Sequence, residues 1–183
     1  MKIDLSSRFA ELTRLLELEL AQILEPLGRD AGNYGFALSV PEDVGSASLT
    51  YAVGHESRMV GEKPRSLAWL DRRYSAVEWG DNWTDVVRST EFLQEIVAEF
   101  EQQTSAASLA EEYLDEAQDQ FLSDCATACL NAMAHCDREG RFGAIWYKVL
   151  FMSDSEHPVL AKAFKTLNRG RALKDAAPLF DFE

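Results

Sequence analysis

The sequence predicts an α+β domain, in which a small, mainly antiparallel sheet of about three or more strands packs against several α-helices, one of them long. Three observations carry that prediction. Apolar residues recur at the helical period near the start of the chain and again through its middle third. Two short β-favouring runs flank a Pro-Glu-Asp-Val-Gly turn. The strand-like runs do not alternate regularly with helices, as they would around a parallel sheet. At 183 residues the chain suits one domain with a substantial core, taken as residues 1–183 with a loosely held tail over 170–183.

Residues 4–25 read as an amphipathic helix, with Phe9, Leu12, Leu16, Leu20 and Ile23/Leu24 on one face. Ser6 or Ser7 is the expected cap, and Pro26 and Gly28 close the helix. Asn33–Val40 and Ser48–Val53 are rich in aromatic and β-branched residues and predict a hairpin across the turn at 41–45. Residues 54–80 are mixed, with Gly61 and Pro64 as breakers and an aromatic run at Trp69, Tyr74, Trp79 and Trp83. That run is expected to interlock helix and sheet.

Helical spacing returns over Asp85–Gln102. Thr104 or Ser105 is expected to start the longest helix, which runs to about Asp137 and ends at Gly140 and Gly143. Ala144–Met152 is an apolar run of strand length and predicts a central strand. A helix over about Glu156–Leu167 follows.

The formal net charge is −13, and nearly all of it sits in one stretch. Residues 81–137 hold thirteen acids against one basic residue, Arg88, whereas 1–80 carry −3 and 138–183 carry +2. Such a field repels a phosphate backbone, so direct nucleic-acid binding is disfavoured and a basic protein partner is favoured. No run approaches the ~18 apolar residues of a membrane helix, and Met1–Leu5 lacks the layout of a secretory leader. Three cysteines do not make a disulfide framework, so cytoplasm is the expected location.

Cys125, Cys129 and Cys136 fall on one face of the long helix, but that stripe also holds Leu114, Phe121, Ala128, Ala132 and Met133. The expected role is apolar core, with no metal and no cofactor, and His135 projects away from it. His55, His135 and His157 lie near no recognisable nucleophile elbow, phosphate loop or metalloprotease motif, so no catalytic residues are assigned.

The acids carry the sharper expectation. Glu91, Glu95 and Glu99 repeat every four residues on one helix; Glu111, Asp115 and Asp119, with Glu112 and Glu116, do so on the next. Like charges at this spacing cost a few tenths of a kcal/mol each, and no lysine or arginine is interleaved to relieve them. These eight residues are the predicted partner-binding surface.

The order of features also resembles the uncharacterised bacterial family catalogued as DUF4303. The resemblance rests on Asn33-Tyr34-Gly35-Phe36-Ala37-Leu38, Tyr74-Ser75-Ala76-Val77-Glu78-Trp79, Asp137-Arg138-Glu139-Gly140-Arg141-Phe142-Gly143 and Val149-Leu150-Phe151-Met152-Ser153-Asp154, with Leu167-Asn168 beyond. The chain departs from the family pattern at Tyr74 and Ala76. The resemblance implies an immunity or antitoxin role more than an enzyme, and it implies a fold-keeping role for Glu78–Trp79 and for the 139–143 turn.

The expected function is therefore a non-catalytic acidic binding protein of the immunity type, blocking a basic toxin or effector. Two alternatives stay open: a hydrolase or transferase using Glu78, His55 and Arg72 or Arg73 near the 54–80 segment, and a scaffold or oligomer subunit.

Overall fold

The computed structural model describes residues 3–59, 61, 63–79, 83–107, 111–153 and 157–176. It has the α+β architecture, with a four-stranded sheet of order β3-β2-β1-β4 covered on both faces. The strands are β1 (Asn33–Ser39), β2 (Thr50–His55), β3 (Thr84–Asp85) and β4 (Tyr147–Phe151). The helices are α1 (Ser6–Leu27), α2 (Leu67–Tyr74), α3 (Val87–Ala107), α4 (Glu111–Arg138), α5 (Pro158–Leu167) and α6 (Arg171–Ala176).

β1 and β2 form the expected antiparallel hairpin, and β3 extends it antiparallel to β2. The predicted second strand is shifted two residues along, for a definable reason. Leu49 N–H donates to the Thr90 hydroxyl at 2.9 Å and its carbonyl accepts from Val86 N–H, so α3 holds the backbone that the hairpin would have used. β4 pairs with β1 in parallel and lies at the sheet edge, which corrects the expectation of a central strand. Its outer edge is not left open: the Asn168 amide accepts from Lys148 N–H at 2.8 Å and donates to Lys148 C=O at 2.5 Å, as a neighbouring strand would.

Strand alternation sorts the core into two clusters. Phe36, Leu38 and Leu150 point toward α1, α3 and α4 and meet Leu12, Leu16, Leu20, Leu93, Ile96 and Phe121. Ala37, Ala52, Tyr147 and Val149 point to the other face and meet Trp69, Tyr74, Trp79, Ala172 and Ala176 from α2, the turn after it and α6. Phe164 of α5 joins the second cluster while Val159, Ala163 and Leu167 join the first, so α5 lies along the β4 side of the sheet. The register shifts between Asn33 and Gly35, which lets Tyr34 join the second cluster although it shares parity with Phe36.

Several helix ends differ from expectation. The N-cap of α1 is Leu5, which has no capping side chain, and the Asp4 carboxylate accepts instead from Ser6 N–H at 3.0 Å; Pro26 lies inside the last turn and Gly28 ends the helix. Thr104 restarts nothing. Its hydroxyl donates to the carbonyls of Phe100 and Glu101 inside α3, and the next helix begins at Glu111. The start of α3 is capped from a distance, since the buried Glu19 carboxylate on α1 accepts from Arg88 N–H, Ser89 N–H and the Ser89 hydroxyl at 2.7–3.0 Å. Within the mixed 54–80 segment, Ser66 caps the unpredicted helix α2. Part of the supposed loose tail is helix α6, anchored by the buried Ala172 and Ala176; residues 177–183 lie outside the described residues.

Candidate functional site

Aromatic packing seats α4 on α1 and joins α3 to α4 through the same ring. Phe9 meets Phe121 edge-on at 5.2 Å, and Phe100 meets Phe121 at 5.1 Å. On α3 the buried stripe is Ser89, Leu93, Ile96 and Phe100, which turns Glu91 and Glu95 outward. On α4, Leu114, Ala117, Gln118 and Phe121 face inward in part or in full. Tyr113, Asp115, Glu116 and Asp119 are exposed. The side chains of Glu111 and Glu112 lie outside the described residues.

The eight predicted carboxylates do not share one fate. Arg8 of α1 reaches Glu95 at 3.1 Å and Glu99 at 3.2 Å, and its guanidinium lies 4.5 Å from the centre of the Phe92 ring. At these two positions the repulsion read from the sequence is relieved internally. No ion pair joins Glu91, Asp115, Glu116 or Asp119 to another described residue, so the unneutralised part of the surface is narrower and centred on the first turns of α4. A shallow open depression of about 740 Å³ runs along α3, lined by Glu95, Ala98, Glu99, Gln102, Gln103 and Ala106.

Of the residues named for the hydrolase alternative, His55 and Arg73 take different hydrogen-bond partners. His55 Nδ1 lies 2.7 Å from the Ser57 hydroxyl, and its Nε2 lies 3.8 Å from Asp30. Glu78 is exposed. Arg73 is buried and spans the Glu56 carboxylate with both terminal nitrogens, at 3.1 and 2.5 Å. No hydrogen bond or ion pair among the described residues links His55, Arg73 and Glu78.

What Arg73 does instead is organise the second core. Its guanidinium lies 4.4 Å from the ring centre of Tyr34, 5.0 Å from Trp69 and 5.3 Å from Trp146. Its carbonyl accepts from the Trp79 indole at 3.2 Å, and the Trp79 ring packs over Gly35 and Gly54, which face each other across β1 and β2. Any side chain on Gly35 would meet that ring at 2.6 Å. The resemblance implied fold-keeping for Trp79, and its packing supplies the physical basis.

This arrangement yields a prediction. Arg73→Lys is expected to lower stability by about 2 kcal/mol, because an ammonium cannot reproduce a planar two-point contact stacked on aromatic rings. The full cost of breaking a buried pair is not expected, since Glu56 is half exposed and water takes it over. An unchanged urea midpoint in Arg73→Lys would contradict it.

The three cysteines are buried and unpaired to one another by disulfide, as the apolar stripe predicted. A hydrogen bond with Cys125 and then burial raise the Cys129 thiol well above its ordinary value; burial and the nearby Glu17 raise Cys136 to about 11. Both thiols are therefore protonated and unreactive at neutral pH. His135 lies 3.8 Å from Glu17, on the flank of α4. Among the described residues no cluster of His, Cys, Asp and Glu could hold a metal ion, and no helix is long and apolar enough to cross a membrane.

No protein-family model, curated protein or solved structure was found to match this chain.

Proposed function

We propose that this chain is a non-catalytic binding protein of the cytoplasm that docks a basic protein partner on the acidic face of α3 and α4. An immunity role, in which the partner is a toxin or effector and docking occludes its working surface, fits that reading. The observation that carries it is the group of exposed carboxylates at Glu91, Asp115, Glu116 and Asp119, which no described basic residue neutralises. Tyr113, 61% exposed within that group, supplies the aromatic anchor that protein interfaces favour. The resemblance noted in the sequence supports the same role.

Mechanistically, the field of the face steers a cationic partner into encounter, and steric coverage then blocks it. Association is expected to slow as salt rises, because exposed charges are screened beyond about 8 Å at physiological ionic strength.

The test is co-expression with each flanking gene product, followed by growth measurement and capture of the complex. Wild type is expected to relieve toxicity of a basic neighbour, and Asp115→Lys/Glu116→Lys/Asp119→Lys to lose that relief with at least tenfold slower association. Those positions are exposed, so the melting temperature of the triple variant is expected to stay level or rise as repulsion is removed. Relief that survives the triple reversal rules out this face.

A further inference from the structure

The charge imbalance has a counterpart on the same chain. From Lys162 to Lys174, along α5 and α6, there are five basic residues, Lys162, Lys165, Arg169, Arg171 and Lys174, and no acid. All five are exposed. Arg171 is committed internally, to Asp175 at 3.2 Å and against the Trp146 ring at 5.1 Å. Lys162 and Lys174 leave the outer sides of α5 and α6, because Ala163, Phe164 and Leu167 of α5 and Ala172 and Ala176 of α6 face the core, and Arg169 is exposed in the link between the two helices.

The two patches are carried by different elements, although α5, which holds Lys162 and Lys165, also packs against α4. α6 belongs to the cluster on one sheet face, whereas α3 and α4 belong to the cluster on the other. A chain of net charge −13 thus carries a cationic strip on α5 and α6 and an anionic face on α3 and α4. Opposite patches on two molecules can pair.

We infer that the α5–α6 strip is a docking surface whose occupant is a second copy of this chain, seated through its acidic α3–α4 face. Net repulsion between two −13 molecules opposes this at long range. At physiological ionic strength, however, charges farther apart than about 8 Å are largely screened, and the local match of opposite patches decides. The contact joins unlike surfaces and is therefore heterologous, so it builds chains or rings instead of a closed two-fold pair. It also covers the face assigned above to a basic partner, so a partner with a denser positive surface would displace the neighbouring copy. The self-association does not depend on that partner existing.

Sedimentation equilibrium across about 10 µM to 1 mM tests it. The weight-average mass of wild type is expected to rise with concentration and to fall back to monomer as salt is raised from about 0.05 M to 0.5 M. Lys162→Glu/Arg169→Glu/Lys174→Glu and, separately, Asp115→Lys/Glu116→Lys/Asp119→Lys are each expected to weaken association at least tenfold. Mixing the two variants is expected to restore it, since each then offers the surface the other lacks. The glutamine versions of the strip substitutions carry the same expectation in weaker form should the reversals disturb folding.

A wild type that stays monomeric over the whole range overturns the inference, as does a strip variant that associates like wild type. Binding of monomeric wild type to anionic vesicles would assign the strip to a membrane surface and overturn it equally. Only the acidic-face variant is expected to affect relief of toxicity, so failure of self-association and failure of the proposed function are read separately.

Discussion

Gly143→Ala is expected to cost roughly 3–5 kcal/mol of stability, several times the cost of Gly140→Ala in the same turn. Both glycines have positive φ, +68° at Gly140 and +55° at Gly143, so a side chain at either pays about 1–2 kcal/mol for the left-handed backbone. Their surroundings separate them. A Cβ on Gly140 meets nothing within 4 Å. One on Gly143 collides with the carbonyl oxygen of Gly28 and comes within 2.8 Å of its carbonyl carbon. Those atoms belong to the end of α1, and Ala144 N–H donates to the same Gly28 carbonyl at 2.9 Å, so neither side can yield without losing a hydrogen bond. Urea unfolding of the two alanine variants checks this, and equal midpoints would show that the close approach carries no cost beyond the backbone angle.

The turn was legible because its signal is local. Two glycines three residues apart after a long helix announce left-handed positions, and the structure places them there. The long helix, the hairpin and the buried cysteine stripe were legible for the same reason, since period and turn chemistry are written in neighbouring residues. Features fixed by distant partners were not. Nothing near residue 19 marks Glu19 as the cap of a helix that begins 68 positions later at Val87. Nothing near β4 shows that Asn168 will stand in for a neighbouring strand and make an apolar edge tolerable.

The acidic face divides along the same line. Its existence follows from a run of carboxylates at helical spacing. Its extent depends on Arg8, 87 positions from Glu95, reaching across from α1. Charge counted in windows assigns each residue to its own segment and cannot register a neutralising partner from another. That is why Glu91, Asp115, Glu116 and Asp119 stand exposed with no ion pair to a described residue, while Glu95 and Glu99 serve partly to hold α3 against α1. The two-residue strand β3 and the short helix α2 escaped for a simpler reason: neither is long enough to show a period.

Stability is expected to be level up to about pH 8.5 and to fall steeply above about pH 10. The second core cluster stacks hydroxyl-bearing rings in its interior. Burial raises Tyr34 from 10.0 to about 12, with Arg73 pulling it down and Glu56 pushing it up. Burial likewise raises Tyr74, helped by Asp175, and raises Tyr147 well above the ordinary value, helped by Tyr74. The Cys129 and Cys136 thiols are raised on the other side of the sheet. In each case the folded chain keeps a proton that the unfolded chain releases, from near 9.0 for cysteine and 10.0 for tyrosine. Unfolding then releases protons, so alkali favours it, by about 1.4 kcal/mol per pH unit for each such group. The stabilisation is complete below pH 9 and is lost as pH rises toward 12. Tyr34→Phe isolates one of these groups, since the one hydrogen-bond partner of the hydroxyl it removes, among the described residues, is the Met59 sulfur at 3.8 Å. The variant is expected to lose stability less steeply between about pH 9.5 and 11.5, while remaining close to wild type at pH 7. Parallel slopes for the two proteins over that window would mean that the Tyr34 proton is not held by the fold.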